Sequence, residues 1–340
     1  MFWEKMSEKL FLDGDLKLLK DKTIAVIGYG NQGRAQAKIL KELNGMNVIV
    51  GNIRDRGWDQ AVSDGFKVYD IAEASSLADV IMLLVPDEVA PEVYSKQILP
   101  SIEKKEFCVI DFASGYNITY GYIRPASNSD IILVAPRMIG AGILDVVMVK
   151  GKGYPVLLGV HQDVSGKAWD YALALAKGIG AFLPGGVAVK SSFEEETLID
   201  LFSEQFLAPS VIASMVASFE VLTEEYGVSP EAALLELYAS GEWSEVFQAI
   251  AEKGFFKQLR YHSRTSQYGQ LTNAMKMYSD PKLKEKIRET LNKIYDGSFA
   301  KEWAMEQSLG NPVFNRLWKI FEDCRMSRAE ETLYRILKRR

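Results

Sequence analysis

Apolar residues in the first half of the chain come in short unbroken runs. TIAVIG (23–28), NVIVGN (47–52), DVIMLLV (79–85), FCVIDFA (107–113) and DIILVAP (130–136) are each bounded by polar or turn-forming residues. Runs of this length, rich in β-branched residues and without polar alternation, predict strands covered on both faces. Between them, residues 34–43, 58–64 and 91–98 repeat their apolar positions three and four apart and predict amphipathic helices. PVLLGV (155–160), then a helical stretch over 167–177, continues the series. Alternation of this kind predicts a doubly wound parallel α/β sheet.

The pattern changes near residue 190. Gly185 and Gly186 close the last irregular segment, Ser191 and Ser192 are placed to cap a helix, and from Phe193 onward almost every stretch has helical periodicity. Ser229-Pro230-Glu231 predicts a helix start with a hydroxyl cap, and Ser327 with Glu330 three residues on predicts a capping box for the last helix. The expected organisation is therefore a 1–190 α/β domain followed by a 191–340 all-α domain. A chain of 340 residues suits two cores.

Composition narrows the class. With 48% hydrophobic and 25% charged residues the chain reads as globular. A net charge of −5 argues against a nucleic-acid surface. No run of eighteen apolar residues occurs and the opening MFWEKMSEKLFLDGD lacks a signal peptide's apolar stretch, so neither membrane association nor export is expected. Two distant cysteines, Cys108 and Cys324, exclude a disulfide framework and fit a cytoplasmic location. His161 and His262 share no metal-binding motif.

The sharpest local signal is IGYGNQG, with Gly28, Gly30 and Gly33 in G-x-G-x-x-G spacing. Preceded by a strand and opening a helix, it predicts a dinucleotide site of the Rossmann type. The first glycine makes the turn, the second admits the pyrophosphate and the third lets helix and strand close up. Asn31 and the residues after it would offer free N–H groups to the phosphates. An NAD site usually ends its second strand on an acid, but here Val50, Gly51 and Asn52 close the run. Arg54 and Arg56 suit a 2′-phosphate, Asp55 between them points the other way, and a solvated charged loop is the competing reading. The balance favours NADP, with NAD the alternative.

In FEEETLIDLFSEQFLA, Asp200 and Glu204 share a helix face with Phe193, Thr197, Leu207 and Val211. Acids inside an apolar stripe need a partner, either a hard cation such as Mg²⁺ or a Lys or Arg across a helix interface. Spacing alone does not decide between them. Glu236, flanked by Leu235 and Leu237, raises the same question.

Beyond these motifs the chain resembles, almost end to end, the ketol-acid reductoisomerases (acetohydroxy acid isomeroreductases). IGYGNQG, LLVPDEV (83–89), DFASGYNI (111–118), LVAPR (133–137) and VHQDVSGKAWDYALALAKGIG (160–180) carry the likeness. So do FEEETLIDLFSEQ (193–205), SRTSQYG (263–269) and GSFAKEWAMEQSLGNPVFNRL (297–317). The resemblance implies a knotted helical second domain that forms homodimers or larger homo-oligomers, NADP or NAD, and two Mg²⁺ ions. It implies isomerisation of a 2-hydroxy-3-keto acid by alkyl migration, then reduction. It assigns Tyr29–Gln32 and the Pro86, Asp87–Ala90 stretch to the nucleotide, and Gly140 to its nicotinamide side. Asp200, Glu204 and Glu236 become metal ligands, and Ser263 a contact of the substrate carboxylate.

Departures from the family pattern cluster around the chemistry. Ser114 stands where A-H-G-F-N-I has histidine, and Arg137 where V-A-P-K has lysine. Ser240 occupies the place of a fourth metal carboxylate, for which Glu242 is the nearest substitute. His262 and Ser266 flank the substrate serine where isoleucine and alanine are usual. Ser114, Arg137 and Glu204 are the expected catalytic residues, and His262 and Ser263 the expected substrate contacts. Three functions fit: reduction of a Mg²⁺-chelated 2-keto acid with the isomerase step weakened, a complete reductoisomerase, and a non-catalytic nucleotide sensor.

Overall fold

The computed structural model describes residues 8–339, so the first seven residues of the opening segment lie outside it. The chain forms two compact units, Met1–Ile199 and Asp200–Arg340.

The first unit is built on a nine-stranded sheet, ordered β1-β9-β8-β7-β6-β5-β2-β3-β4. Its strands are β1 Leu10–Phe11, β2 Thr23–Ile27, β3 Asn47–Gly51, β4 Lys67–Tyr69, β5 Val80–Leu83, β6 Cys108–Phe112, β7 Ser129–Pro136, β8 Pro155–Gln162 and β9 Val187–Lys190. All five unbroken apolar runs are strands, and β2 through β7 pair in parallel. Alternate residues enter opposite cores: Ile24, Val26, Met82 and Val109 on one face, Ala25, Ile27, Ile81 and Ile110 on the other. Covering both faces is what makes the runs continuous.

One strand departs from the expected direction. β8 runs antiparallel to β7. The chain leaves β7 at Pro136, makes the Gly140–Leu144 helix and a π-turn over Asp145–Val149, and re-enters at Pro155. The segment returns beside the same strand end without crossing the sheet, so the direction reverses. The apolar run PVLLGV carries no information about direction; the connection does.

The helices fall where periodicity puts them, with shifted ends: Asn31–Lys38 continued by a π-turn to Leu43, Arg56–Ser63, Ala90–Val93 continued to Ile98, and Ala168–Gly178. Ser192 caps the Phe193 helix, its hydroxyl accepting from the Glu195 N–H at 3.1 Å. Two other expected caps differ. Ser229 precedes its helix without a side-chain bond. The last helix begins at Arg325, capped by the Cys324 sulfur. Ser327 lies inside it and donates back to the Phe321 carbonyl at 2.7 Å, while Glu330 accepts from the Tyr238 hydroxyl.

The second unit is all helix. The helix from Phe193 continues through a π-turn at Ser203–Leu207 into Ala208–Glu224, and shorter helices follow to Ile336. Its core is small, a cluster of Phe219, Ala233, Leu234, Ala239 and Leu333. Much of its apolar surface is exposed, including Leu207, Ile212, Trp243, Phe247, Phe256, Phe314, Trp318 and Phe321.

Candidate functional site

At the carboxyl ends of β2, β3 and β5 the first unit opens a cleft of about 700 Å³, lined by Gly28–Gln32, Asn52, Ile53, Asp55, Gly57 and Leu84–Pro86. The three glycines have three different reasons. Gly28 has φ +95, and a Cβ there would lie 2.8 Å from the Leu84 carbonyl. A Cβ on Gly33 would sit 2.0 Å from the Gly28 oxygen, so helix and strand could not close. Gly30 has open space where its side chain would be, and that space is the cleft. With the Asn31–Lys38 helix starting beneath it, the turn presents backbone N–H groups and a positive dipole end. A pyrophosphate fits this donor set.

Asn52 holds the turn to the opposite wall. Its Oδ1 accepts from the Tyr29 N–H at 3.3 Å, and its Nδ2 donates to the Ile53 carbonyl at 3.0 Å and Asp55 Oδ1 at 2.8 Å. Asp55 Oδ1 also caps the Arg56–Ser63 helix through the Gly57 and Trp58 N–H groups, at 2.8 and 3.2 Å. Asp55 lines the cleft, whereas Arg54 and Arg56 are exposed beside it and outside the lining. The Arg54 guanidinium lies 4.7 Å over the Trp58 ring.

A second cavity of about 220 Å³ shares Gln32 and Leu84–Pro86 with the cleft and adds Asp87, Phe112, Ser114 and Asn117. Ser114 donates to Asp87 Oδ2 at 3.1 Å, and Asn117 Nδ2 to Asp87 Oδ1 at 3.2 Å. On β6, fully buried Asp111 accepts from the Val134 N–H at 3.0 Å, while its Oδ2 has no partner. Burial pushes this carboxyl well above the usual carboxylate range. Gly140 allows a close helix approach: a Cβ would meet Gln32 Cγ at 2.9 Å.

Arg137 and the turn carrying Ser114 are joined by a residue the sequence reading passed over. Glu196, 1% exposed, accepts from Arg137 Nη2 and from the Gly115 N–H, each at 2.7 Å. The signal was present: Glu196 lies three residues after Phe193 and four before Asp200, on the stripe already identified.

In the second unit Asp200 is half-buried, and Glu204, Glu236 and Glu242 are exposed. The stripe containing Asp200 and Glu204 is therefore not buried throughout: Phe193 and Thr197 are, but Leu207 is 59% and Val211 38% exposed. An apolar stripe shows only that something covers it. Glu204 and Glu236 each sit in a π-turn, a geometry frequent at functional sites. Three other π-turns carry no candidate residue, which weakens that hint. Ser240 ends the helix of Glu236, and Gly241, at φ +88, separates it from Glu242 at the start of the next. Among the described residues no three His, Cys, Asp or Glu side chains group so as to hold a metal ion. Ser263 caps the Arg264–Ser279 helix through the Ser266 N–H at 3.2 Å. The His262 ring meets Gln258 at 3.1 Å.

Residues 18–185 match the family described as acetohydroxy acid isomeroreductase, NADPH-binding domain, and residues 193–339 the ketol-acid reductoisomerase C-terminal domain. The chain is 57% identical over 333 residues to the "Putative ketol-acid reductoisomerase 3" of Saccharolobus solfataricus, covering 98% of this chain and 99% of that one. It is 42% identical over 317 residues to the ketol-acid reductoisomerase (NADP(+)) of Methanocaldococcus jannaschii, covering 92% and 93%. Among solved structures, an NADH-preferring ketol-acid reductoisomerase from an uncultured archaeon superposes with a TM-score of 0.87 at 33% identity, covering 95% and 96%. The chain belongs to the ketol-acid reductoisomerase family of NAD(P)-dependent oxidoreductases.

Proposed function

We propose that residues 1–190 bind NADPH and residues 191–340 bind a small 2-keto acid with Mg²⁺, and that the chain reduces this acid with the alkyl-migration step weakened or lost. The observation carrying the reading is the cleft over Gly30 with its adjoining cavity, whose size and donor set suit a dinucleotide. When bound, the nicotinamide supplies the hydride. The chain's own part is to hold it: Gly28–Gly33 at the pyrophosphate, Pro86, Asp87 and Gly140 toward the nicotinamide, and Arg54 with Arg56 at a 2′-phosphate. Asp55, facing the cleft, favours a second reading with NADH, whose free ribose hydroxyl a carboxylate would accept.

Weakened isomerisation rests on proton handling. Arg137, bonded to Glu196, is never a proton donor near neutral pH. Ser114, bonded to Asp87, offers no imidazole to titrate. Both are proposed as catalytic with Glu204, and Ser263 and His262 as contacts of the acid. The relatives named ketol-acid reductoisomerase (NADP(+)) favour the rival, a complete reductoisomerase.

Asp200 and Glu204 provide two carboxylates a turn apart, and Mg²⁺ typically takes only a few protein oxygens beside substrate and water. Because no third ligand gathers with them among the described residues, Glu236, or Glu242 in its place, is proposed to come from a second copy. The exposed apolar surface supports this. The Phe193–Glu224 helix has a mean hydropathy of 1.6 over its most apolar eighteen residues, only 6% of them buried. A groove of about 350 Å³ runs beside it, lined by Leu207, Val211, Met215, Leu237, Trp243 and Phe247. Surface of this kind on a unit with so small a core calls for a cover, and the acids along the helix, Asp200, Glu204, Glu220 and Glu224 among them, argue for protein over lipid. The test is to mix the inactive variants Asp200→Asn and Glu236→Ala. If the site is shared, heterodimers regain one intact site and about a quarter of the activity returns, for random two-fold pairing. No recovery would place all ligands on one chain.

A further inference from the structure

The glycine turn is fastened at two points, and one lies outside the cleft. The Tyr29 ring is 5% exposed and packs edge-on against Phe66 at 5.7 Å, and its hydroxyl donates to Asp64 Oδ2 at 3.0 Å. Arg34, from the helix that follows the turn, reaches the same carboxylate through Nε at 2.7 Å and Nη2 at 3.3 Å. Gln60 Nε2 adds a bond at 3.2 Å, and Lys38 Nζ lies 4.0 Å away. Asp64 closes the Arg56–Ser63 helix, whose first turn, capped by Asp55, forms the far wall of the cleft. One carboxylate thus gathers the turn, the helix behind it and the helix across from it. The bond from Arg34 holds this acid down to about 2, so it stays charged at any working pH.

We propose that Asp64 is a positioning residue for the nucleotide: through Tyr29 and Arg34 it fixes the spacing between the glycine turn and the Arg56–Ser63 helix, and so sets affinity without touching the ligand. The proposal rests on the cleft being the nucleotide site. Asp64 is not part of the cleft lining. Its contribution is pre-organisation, since apparent affinity falls in proportion to the fraction of molecules holding the competent arrangement. The loss of one charge-assisted bond, to a competent fraction of roughly one in ten, weakens binding about tenfold. Spacing matters to both nucleotides, so NADPH and NADH should lose equally, unlike a change at Arg54 or Arg56.

The experiment titrates NADPH and NADH against the full chain by nucleotide fluorescence, for wild type, Asp64→Asn, Asp64→Glu and Tyr29→Phe. Expected is a loss of about five- to tenfold for both nucleotides in Asp64→Asn and Tyr29→Phe. The NADPH-to-NADH ratio should stay unchanged, and Asp64→Glu should recover part of the loss. Lowered thermal stability with wild-type affinity would make Asp64 merely structural and overturn the proposal. So would a loss confined to one nucleotide. Wild type that binds neither nucleotide would instead remove the cofactor reading itself. If Asp64→Asn does not fold, Tyr29→Phe decides alone, because it removes one oxygen and keeps the ring packed on Phe66.

Discussion

Replacing Glu196 by glutamine isolates the contact that joins Arg137 to the Ser114 turn. The carboxylate is 1% exposed and takes two donors at 2.7 Å, one of them cationic. An amide keeps a single acceptor oxygen, so its NH₂ must face either the Gly115 N–H or the guanidinium, and both are donors. One bond is lost, one donor is left facing another, and Arg137 loses a countercharge. Breaking a buried pair costs about 3–5 kcal/mol. Because the Arg137 side chain is 27% exposed, water offsets part of this, and the lower end, about 3 kcal/mol, is the appropriate figure. At roughly 2–4 °C per kcal/mol for a unit of this size, the melting temperature should fall by about 6–12 °C. Differential scanning fluorimetry of Glu196→Gln against Glu194→Gln measures it, because Glu194 is exposed on the same first turn. Turnover on the keto acid should fall as well, since Arg137 and Ser114 lose their common anchor. A shift no larger than that of Glu194→Gln would refute the reasoning.

Three further outcomes follow from the same geometry. Arg54→Ala with Arg56→Ala should weaken NADPH by roughly ten- to a hundredfold and leave NADH nearly unchanged, the value of charge-assisted bonds to phosphate; equal losses, or a wild-type preference for NADH, would favour the Asp55 reading. Asp111→Asn should gain stability relative to wild type as pH rises. The folded carboxyl keeps its proton well above the unfolded value near 3.9, so wild type loses about 1.4 kcal/mol per pH unit beyond it until the folded group ionises; melting curves at pH 5 and pH 8 with an unchanged difference would contradict this. Asp200→Asn should abolish Mg²⁺-dependent turnover with nucleotide affinity intact; if Asp200 were only an ion-pair acid, Mg²⁺ would change neither turnover nor melting of wild type.

What the sequence made legible is what local spacing encodes. The glycine turn, the five buried strands and the helical second half are each written within one window, and the structure has them. Relations between distant positions were not legible in this way. The direction of β8 depends on a connection that does not cross the sheet. Asp64 reads as an ordinary helix-end acid until Tyr29 and Arg34, 35 and 30 residues earlier, are brought to it. Glu196 lay on an identified stripe, but its partners are 59 and 81 residues away. The stripe through Asp200 showed that a cover is needed, and no pattern in one chain names the cover.

The most direct test offers the purified protein, with NADPH and Mg²⁺, acetolactate and the already isomerised 3-hydroxy-2-keto acid in separate assays followed by nucleotide oxidation. Reduction only requires the second acid to turn over readily while acetolactate is slow or inert, because Ser114 and Arg137 leave alkyl migration without its proton-handling groups. Comparable rates on both substrates would contradict the proposal and make this chain a complete reductoisomerase.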